Sequence, residues 1–409
     1  MAGATFAHHF IGEKFMRILL LTFNTVGKGT YWRALYLARE MSKLGHQVTL
    51  MATARQSRLE IATKQDQESA VTLVETPDLL WGPGRSGWDV WNSVRRMGWA
   101  NGRTFDIVHG FECRPTVLYP ALHWQRRGAV LLFDWCDWFG RGGSVEERPS
   151  PLARTILRPI ESHFEENYRT RANATTVINS VLRQKALELG VPAETILPLP
   201  NGCNVDELFP VSMIDARRRL GLTKDTPIIG YIGAIFQQDA VLMARSFDHV
   251  HAALPQARLL VAGYCNVDIR RLTQNPEAVW QTGPVPYEQI NDYLAAANLW
   301  WLPLVNSGAN RGRSPLKMND YMAAGKAIVA TDVGDVGSFV RDAGLGLAAS
   351  DTPADLAQKA LALLNDPARC QQMGQVARQI AETTLSWKTI AGSLANFYMQ
   401  TLEKVTTND

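Results

Sequence analysis

Apolar residues in this chain gather into short continuous blocks, and between the blocks they fall at helical spacing. Ile18–Phe23 is such a block and predicts a buried strand. The tight loop Asn24–Gly29 follows, and Thr30–Leu44 carries the apolar stripe of a helix before Gly45–Met51 gives the next strand. Strand, glycine loop, helix and strand form a Rossmann-type opening, although the G-x-G-x-x-G spacing is missing. Phe105–Thr116 reads as a strand ending in polar residues, and Val130–Trp135 as another that opens into the glycine-rich DWCDWFGRGG. Leu152–Arg171 reads as a long helix, after which Ala174–Asn179, Ser180–Leu189 and Ile196–Leu199 complete the half. A second series starts at Ile228, with buried-strand runs at Ile228–Gly233, Arg258–Gly263 and Leu299–Val305. Pro353–Leu364, Ala368–Thr383 and Ser386–Leu402 are helices, the last amphipathic.

Bulk properties narrow the class. At 409 residues the chain exceeds what one core usually supports, so two domains are expected. The apolar fraction of 46% and charged fraction of 20% are those of a soluble globular protein, and a net charge of +3 argues against a nucleic-acid partner. The five cysteines have neither metal nor redox spacing and read as buried thiols of a reducing compartment. No apolar run reaches the ~20 residues that span a bilayer. The expected location is the cytoplasm. Residues 1–15 read as a poorly structured extension.

The most informative stretch is Asn306–Gly337, NSGANRGRSPLKMNDYMAAGKAIVATDVGDVG. Ser314 suits a helix N-cap and Pro315 the first helical position, Leu316–Ala324 reads as a short helix, and Gly325 suits its left-handed stop. Ala327–Thr331 is a buried strand, and the polar loop before the helix carries Gly308, Arg311, Gly312 and Arg313. A loop feeding a helix N-terminus offers unpaired N–H groups and the positive end of the dipole, which suit a phosphate. Lys317 and Asp320 lie on one face of that helix, a cation for phosphate and a carboxylate for ribose hydroxyls.

SPLKMNDYMAAGKAIVATDVG resembles the donor-binding segment "SPLK..EYMAAGKPVVAT" of retaining, nucleotide-sugar-dependent glycosyltransferases of family 4. The resemblance covers nearly the whole chain. It implies an α/β fold of two facing Rossmann-like domains, the GT-B arrangement, with the site in the cleft between them. The first domain would be residues 1–205, completed by the terminal helix from residue 386, and the second, donor-binding domain residues 206–385. By resemblance, Gly27, Gly29 and Thr30 face the donor phosphates; Gly233, Tyr264 and Val285, near strand ends, hold the donor with its base; and Arg311, Arg313, Ser314, Pro315, Leu316, Lys317 and Asp320 complete the donor site. FDIVHGFECRPT is similar to the family's "DvvHah" strand, with His109 at the first histidine and Phe111 where a second often stands. Glu112 and Arg114 are then candidates for polar roles. Asp134 and Asp137 have no evident third ligand for a metal and read either as acceptor-side carboxylates or as loop-capping groups. By elimination Asp137 is the leading acceptor-orienting carboxylate, ahead of Glu112, with His109 either catalytic or structural. PNGCN (Pro200–Asn204) resembles the family's "PNGVD" turn.

Two departures stand out. The family's "vGRL...KG" has Ala234 and Asp239 at its Arg and Lys, and its Glu, seven residues, Glu pattern has Gly312 first and Asp320 second. Arg311, Arg313 and Lys317 are then left to supply the charge. The resemblance implies sugar transfer from a nucleoside-diphosphate donor to a hydroxyl acceptor with retention and without a metal or other cofactor, in polysaccharide or glycolipid synthesis. The alternative is a non-catalytic GT-B protein that binds a nucleotide-sugar or a partner transferase. Between Leu79 and Arg103, Trp81, Trp88, Trp91 and Trp99 alternate with Arg85, Arg95, Arg96 and Arg103. Such a stripe is more often a core-packing helix with a solvated basic face; the other reading is peripheral contact of segment 81–103 with a membrane carrying a lipid-linked acceptor.

Overall fold

The computed structural model describes residues 15–80, 86–99 and 101–408. Among the described residues, fourteen strands form two open sheets. The first contains β1 (Arg17–Thr25), β2 (Gln47–Thr53), β3 (Ala62–Gln65), β4 (Thr72–Thr76), β5 (Ile107–Phe111), β6 (Val130–Trp135), β7 (Ala174–Val177) and β8 (Ile196–Pro198). Their order is β3-β4-β2-β1-β5-β6-β7-β8, with β3 antiparallel to β4 at the edge. The second contains β9 (Ile228–Ile232), β10 (Arg258–Ala262), β11 (Val279–Gly283), β12 (Leu299–Leu302), β13 (Ala327–Thr331) and β14 (Gly346–Ala349), in the order β11-β10-β9-β12-β13-β14. The second sheet is parallel throughout and has the doubly wound 3-2-1-4-5-6 order.

The helices are α1 (Tyr31–Lys43), α2 (Val90–Trp99), α3 (Pro115–Gln125), α4 (Pro151–Glu166), α5 (Ser180–Glu188), α6 (Met213–Arg219) and α7 (Gln237–Ala253). Beyond them come α8 (Ile290–Ala296), α9 (Gly308–Arg311), α10 (Leu316–Ala323), α11 (Gly334–Asp342), α12 (Pro353–Leu364), α13 (Pro367–Thr383) and α14 (Trp387–Asn408). The chain divides into two compact units, one of residues 1–133, 172–174 and 392–409, the other of 134–171 and 175–391.

The continuous apolar runs have a simple cause. Alternate residues of a strand point to opposite faces. In the second sheet Ile228, Leu260, Trp300 and Ile328 enter one core cluster, while Ile229, Leu259, Trp301 and Val329 enter another. Both faces are therefore covered, so no polar alternation survives. The terminal strands are different. All four residues of β3 (ATKQ) are exposed, and β11 and β14 are short and only partly buried, so none of them carries the block pattern. The run read as one strand over Phe105–Thr116 stops at Phe111, because Glu112 adopts φ 69 and α3 starts at Pro115. The long helix read over Leu152–Arg171 ends at Glu166, followed by a single 3₁₀ turn at Arg169–Arg171.

The Trp/Arg segment corrects the expectation of a core-packing helix with a solvated basic face. Helix α2 buries Asn92, Ser93 and Arg96, whereas Val90, Trp91 and Val94 are 66%, 36% and 48% exposed. Trp81 and Arg85 lie outside the described residues. Helix α4 is turned the same way, burying Glu161, Ser162 and Glu165 and exposing Leu152, Ile156 and Ile160. Among the described residues no helix is long and apolar enough to cross a bilayer.

Candidate functional site

In doubly wound sheets ligands collect at the carboxyl ends of the strands where the order reverses. In the second sheet that point lies between β9 and β12. Beyond β9 the chain turns through Gly233, at φ 77, to Ala234. Lys317 reaches this turn from the first turn of α10, donating to the Ala234 carbonyl at 2.7 Å and to the Tyr231 hydroxyl. No carboxylate forms an ion pair with it among the described residues. Burial pushes the Lys317 pKa down to about 7. Three residues on, the Asp320 carboxylate accepts no hydrogen bond among the described residues, and burial pushes its pKa up to about 7. A half-buried ammonium held by neutral oxygens and a half-buried carboxylate without a donor are both incomplete without a ligand.

The local chain explains how α10 is placed. Pro315, not Ser314, occupies the capping position at φ −64 and ψ 124, and no side chain caps the helix. The Leu316 and Lys317 N–H groups thus open the helix without intrahelical partners. Ser314 acts through its carbonyl instead, which accepts from Asn201 Nδ2 at 2.8 Å. Gly325 ends the helix at φ 66 as its type predicts.

The polar loop before α10 contains the one-turn helix α9, capped by Ser307 Oγ accepting from Asn310 N at 3.2 Å. Asp239, at the family's lysine position, is buried and fastens this turn. It accepts from Val305 N and Asn310 Nδ2, both at 2.9 Å, and burial pushes its pKa up to about 6. Arg313 is already engaged: it donates to Asn310 Oδ1 at 2.7 Å, pairs with Glu147 at 3.1 Å and lies 3.9 Å over the Phe236 ring. Arg313, one of the three cations expected to supply charge, thus stands in an ion pair with Glu147. Arg311 is exposed, and its carbonyl accepts from Asn179 Nδ2 at 3.1 Å.

Gly312, where the family has glutamate, sits against the loop after β6. A Cβ there would come within 2.7 Å of Trp138 Cβ, and one at Gly308 would strike the Gly142 carbonyl. That loop is fixed by the buried Glu165, which accepts from Trp135 Nε1 at 3.0 Å, Phe139 N at 2.8 Å and Gly140 N at 2.6 Å. Glu147 from the same region accepts from Ser307 Oγ at 2.9 Å and Gln238 Nε2 at 2.8 Å. A carboxylate from a different segment thus meets Ser307 and Arg313, on either side of Gly312 in the loop.

Other predicted residues are more scattered. Tyr264 is 66% exposed after β10, and Val285 is half-buried after β11. In the first sheet the order reverses between β1 and β5. Gly27 (φ 79) and Gly29 (φ 55) form the loop beyond β1, and a Cβ at Gly27 would lie 2.4 Å from Arg55 Nη2. Thr30 is buried at the start of α1 without a side-chain capping bond. His109 is fully buried, stacked 5.0 Å from Phe111, with Nδ1 2.7 Å from the Tyr398 hydroxyl. Glu112 is buried just past β5 and, among the described residues, is the one non-glycine residue with positive φ. Arg114 packs over Phe23 and Trp88 and donates to the Ser86 carbonyl at 2.7 Å. Asp134 is fully buried and bonded by Thr176 Oγ1, whereas Asp137 is half-buried on the loop beyond β6.

Sequence reasoning missed Tyr231, Trp138 and Glu147. Tyr231 could have been found, since it lies in a strand run two residues before the turn. Glu147 carries no local signal, because only folding brings it to Ser307 and Arg313.

Two doubly wound sheets with site residues at their switch points define a GT-B protein, and solved structures share this fold. Sucrose-phosphate synthase from Thermosynechococcus elongatus matches with a TM-score of 0.74 and 18% identity, over 94% of this chain and 98% of its own. HepE from Anabaena, solved in complex with UDP, matches at 0.66 and 14% identity over 94% and 100%. The model for "Glycosyl transferases group 1" matches residues 226–366, and that for "Glycosyl transferase 4-like domain" matches residues 28–202. The chain belongs to the group 1, family 4-like glycosyltransferases. It is 30% identical over 210 residues to the GDP-mannose-dependent monoacylated alpha-(1-6)-phosphatidylinositol monomannoside mannosyltransferase of Corynebacterium glutamicum, a match covering 48% of this chain and 54% of that protein. The chain spans 54% to 66% of the length of the first curated relatives it matches.

Proposed function

We propose that the protein transfers a sugar from a nucleoside-diphosphate donor to a hydroxyl acceptor with retained anomeric configuration, in the synthesis of a glycolipid or polysaccharide. The observation that carries the reading is Lys317, an ammonium held at the β9 turn by neutral oxygens, with the unbonded Asp320 carboxylate beside it. A diphosphate docked on the α10 N-terminus meets the Lys317 charge and the helix dipole, and ribose hydroxyls meet Asp320. Gly233, Tyr264, Val285, Ser314, Pro315 and Leu316 line the donor in this reading. Helix dipole and cation stabilise the leaving diphosphate, and that phosphate takes the acceptor proton on the same face. The acceptor hydroxyl is oriented by Asp137 or by the strained Glu112, with Arg114 and Asp134 in supporting positions. His109 orients the β5 end through Tyr398.

The experiment is a calorimetric screen against UDP, GDP, ADP and dTDP and their sugars, followed by transfer assays of Asp137→Ala and Glu112→Ala. Transfer that falls while donor affinity holds supports the assignment, and full rates in both variants remove it. A second reading, a donor-binding protein without transfer, draws on Asp239: the family's lysine is replaced by a carboxylate committed to α9. Tight nucleotide binding with no turnover would select it. The turned-out face of α2 supports peripheral contact with an anionic bilayer. Leu79, Leu80, Val90, Trp91 and Val94 are exposed, Arg95 lies 5.5 Å from the Trp91 ring, and Arg103 lies 3.7 Å from that of Trp99.

A further inference from the structure

Helices α5, α10 and α11 border a cavity of about 390 Å³, and neither Lys317 nor Asp320 lines it. The volume falls within the range of small-molecule sites, about 300–1,000 Å³. Its wall is largely apolar, with Ile178, Pro198, Pro200, Met318, Val336 and Phe339. Most polar groups along it already have protein partners. Asn179 Oδ1 accepts from Leu182 N at 2.9 Å, and its Nδ2 donates to the Arg311 carbonyl at 3.1 Å. Asn201 Nδ2 donates to the Ser314 carbonyl at 2.8 Å, and Arg313 is paired with Glu147 at 3.1 Å. Asn319 Nδ2 donates to the Asn201 carbonyl at 2.8 Å, and its unbonded oxygen is enclosed, out of a ligand's reach. The Asp335 carboxylate accepts from Ser180 N at 2.7 Å and Ser180 Oγ at 2.5 Å, at the positive end of the α5 dipole.

Arg183 is different. It lines the cavity, is half-buried, and forms neither an ion pair nor a side-chain hydrogen bond among the described residues. Its place on α5 does not account for it. Arg183 N donates to the Asn179 carbonyl at 3.0 Å, which sets the residue in the first turn of the helix. There the helix dipole opposes a cation, and no acidic residue shares the turn. The buried face of α5 is supplied by Leu182 and Ala186, so the helix packs through other residues. A guanidinium is thus held against the dipole, beside an apolar wall, with its planar fork of donors unused.

We infer that this cavity binds an aliphatic monocarboxylate, with the carboxylate in the fork of Arg183 and the carbon chain against Met318, Val336 and Phe339. A carboxylate matches the guanidinium plane with two parallel hydrogen bonds. One negative charge suits the site better than two, because Asp335 stands on the same cavity and repels a dianion such as a phosphate monoester. The site does not rest on the transfer reading, and it is tested without nucleotide or sugar.

The probes are hexanoate, hexan-1-ol, acetate and hexyl phosphate, titrated into the full chain at neutral pH and followed by the Met318 methyl resonance. Hexanoate should bind about tenfold tighter than hexan-1-ol, which has the chain without the charge, and about tenfold tighter than acetate, which has the charge with little chain. Arg183→Gln breaks no hydrogen bond or ion pair of the described side chains. It should bring hexanoate down to the affinity of the alcohol and leave the alcohol unchanged. Val336→Phe, which fills the cavity from α11, should abolish binding of both. Equal binding of hexanoate and hexan-1-ol to the unaltered protein overturns the inference, as does equal binding of hexanoate and acetate. So does a preference for hexanoate that survives Arg183→Gln, binding that survives Val336→Phe, or hexyl phosphate binding tighter than hexanoate. A crystal structure at saturating hexanoate in which Arg183 turns instead to Asp335 overturns it too. If Val336→Phe does not fold, the comparison of probes in Arg183→Gln decides alone.

Discussion

Helices α2 and α10 each have two distinct faces, yet they are buried in opposite senses. In α10 the inward residues are Met318, Asn319, Tyr321, Met322 and Ala323, four of them apolar or aromatic. In α2 they are Asn92, Ser93 and Arg96, and the apolar residues point outward. What differs is what each helix covers. Helix α10 lies on the side chains of β12 and β13, including Trp300 and Ile328 of the same cluster. Helix α2 packs mainly against α3 and also touches β4, and its inner face meets backbone carbonyls and a hydroxyl of β1, α3 and β4. Arg96 answers them, donating to the Thr22 carbonyl at 2.9 Å, the Thr116 carbonyl at 3.0 Å and Thr76 Oγ1 at 3.1 Å. Arginine suits the place because one planar group carries five donors. Amphipathicity tells that a helix has two faces; the surface beneath it selects which one is buried.

The sharpest test is to place the same charge on both helices. Met322→Glu puts a carboxylate into the α10 core and should cost about 4 kcal/mol or more of stability, whereas Val94→Glu on α2 should stay within about 0.5 kcal/mol. Comparable losses in urea denaturation would mean that the outward face of α2 is in fact covered. Next in size is Arg96→Leu, which removes the donor to buried acceptors of β1, α3 and β4 and should cost about 3 kcal/mol. A loss under about 1 kcal/mol would show that α2 is not seated by its guanidinium.

Lys317→Ala should weaken nucleoside-diphosphate binding by about 1.5–3 kcal/mol, read by calorimetry, while leaving the fold intact. Its pH dependence carries a defined sign. Burial lowers the Lys317 pKa to about 7, so the free protein loses this charge as pH rises through that value. Diphosphate affinity should fall between pH 7 and pH 9 by up to about tenfold per unit, and Lys317→Ala should abolish the slope. Stability moves the other way: a lysine depressed in the folded state lets the unfolded chain hold more protons from about 7 to its ordinary value, so the Lys317 contribution grows more favourable as pH rises through that window. A flat affinity profile would detach Lys317 from the phosphate. The smallest effect concerns the outer face of α2. Trp91→Glu should reduce sedimentation with anionic vesicles by about tenfold without lowering the urea midpoint, and undiminished sedimentation would remove the bilayer as its partner.

The doubly wound class, the strand runs at Ile18–Phe23, Val130–Trp135 and Ile228–Gly233, and the Gly325 stop of α10 could all be read directly from the sequence. Each depends on a local period or on one residue's backbone freedom, and such information survives in the order of residues alone. The SPLK stretch likewise marked Lys317 and Asp320 before any fold was known, because their spacing on a helix is local. The direction in which α2 and α4 face, and the engagement of Arg313 by Glu147, could not be read so. Nor could the Asp239 hold on α9, or the unpaired Arg183 brought to the cavity beside α10. Those features depend on partners 66 to 166 residues apart in sequence for the contacts of Asp239 with Val305 and of Glu147 with Arg313. A polar side chain names what it can bond, not what will be brought to it. The charge or hydrogen bond left over after those meetings is set only when the chain has folded.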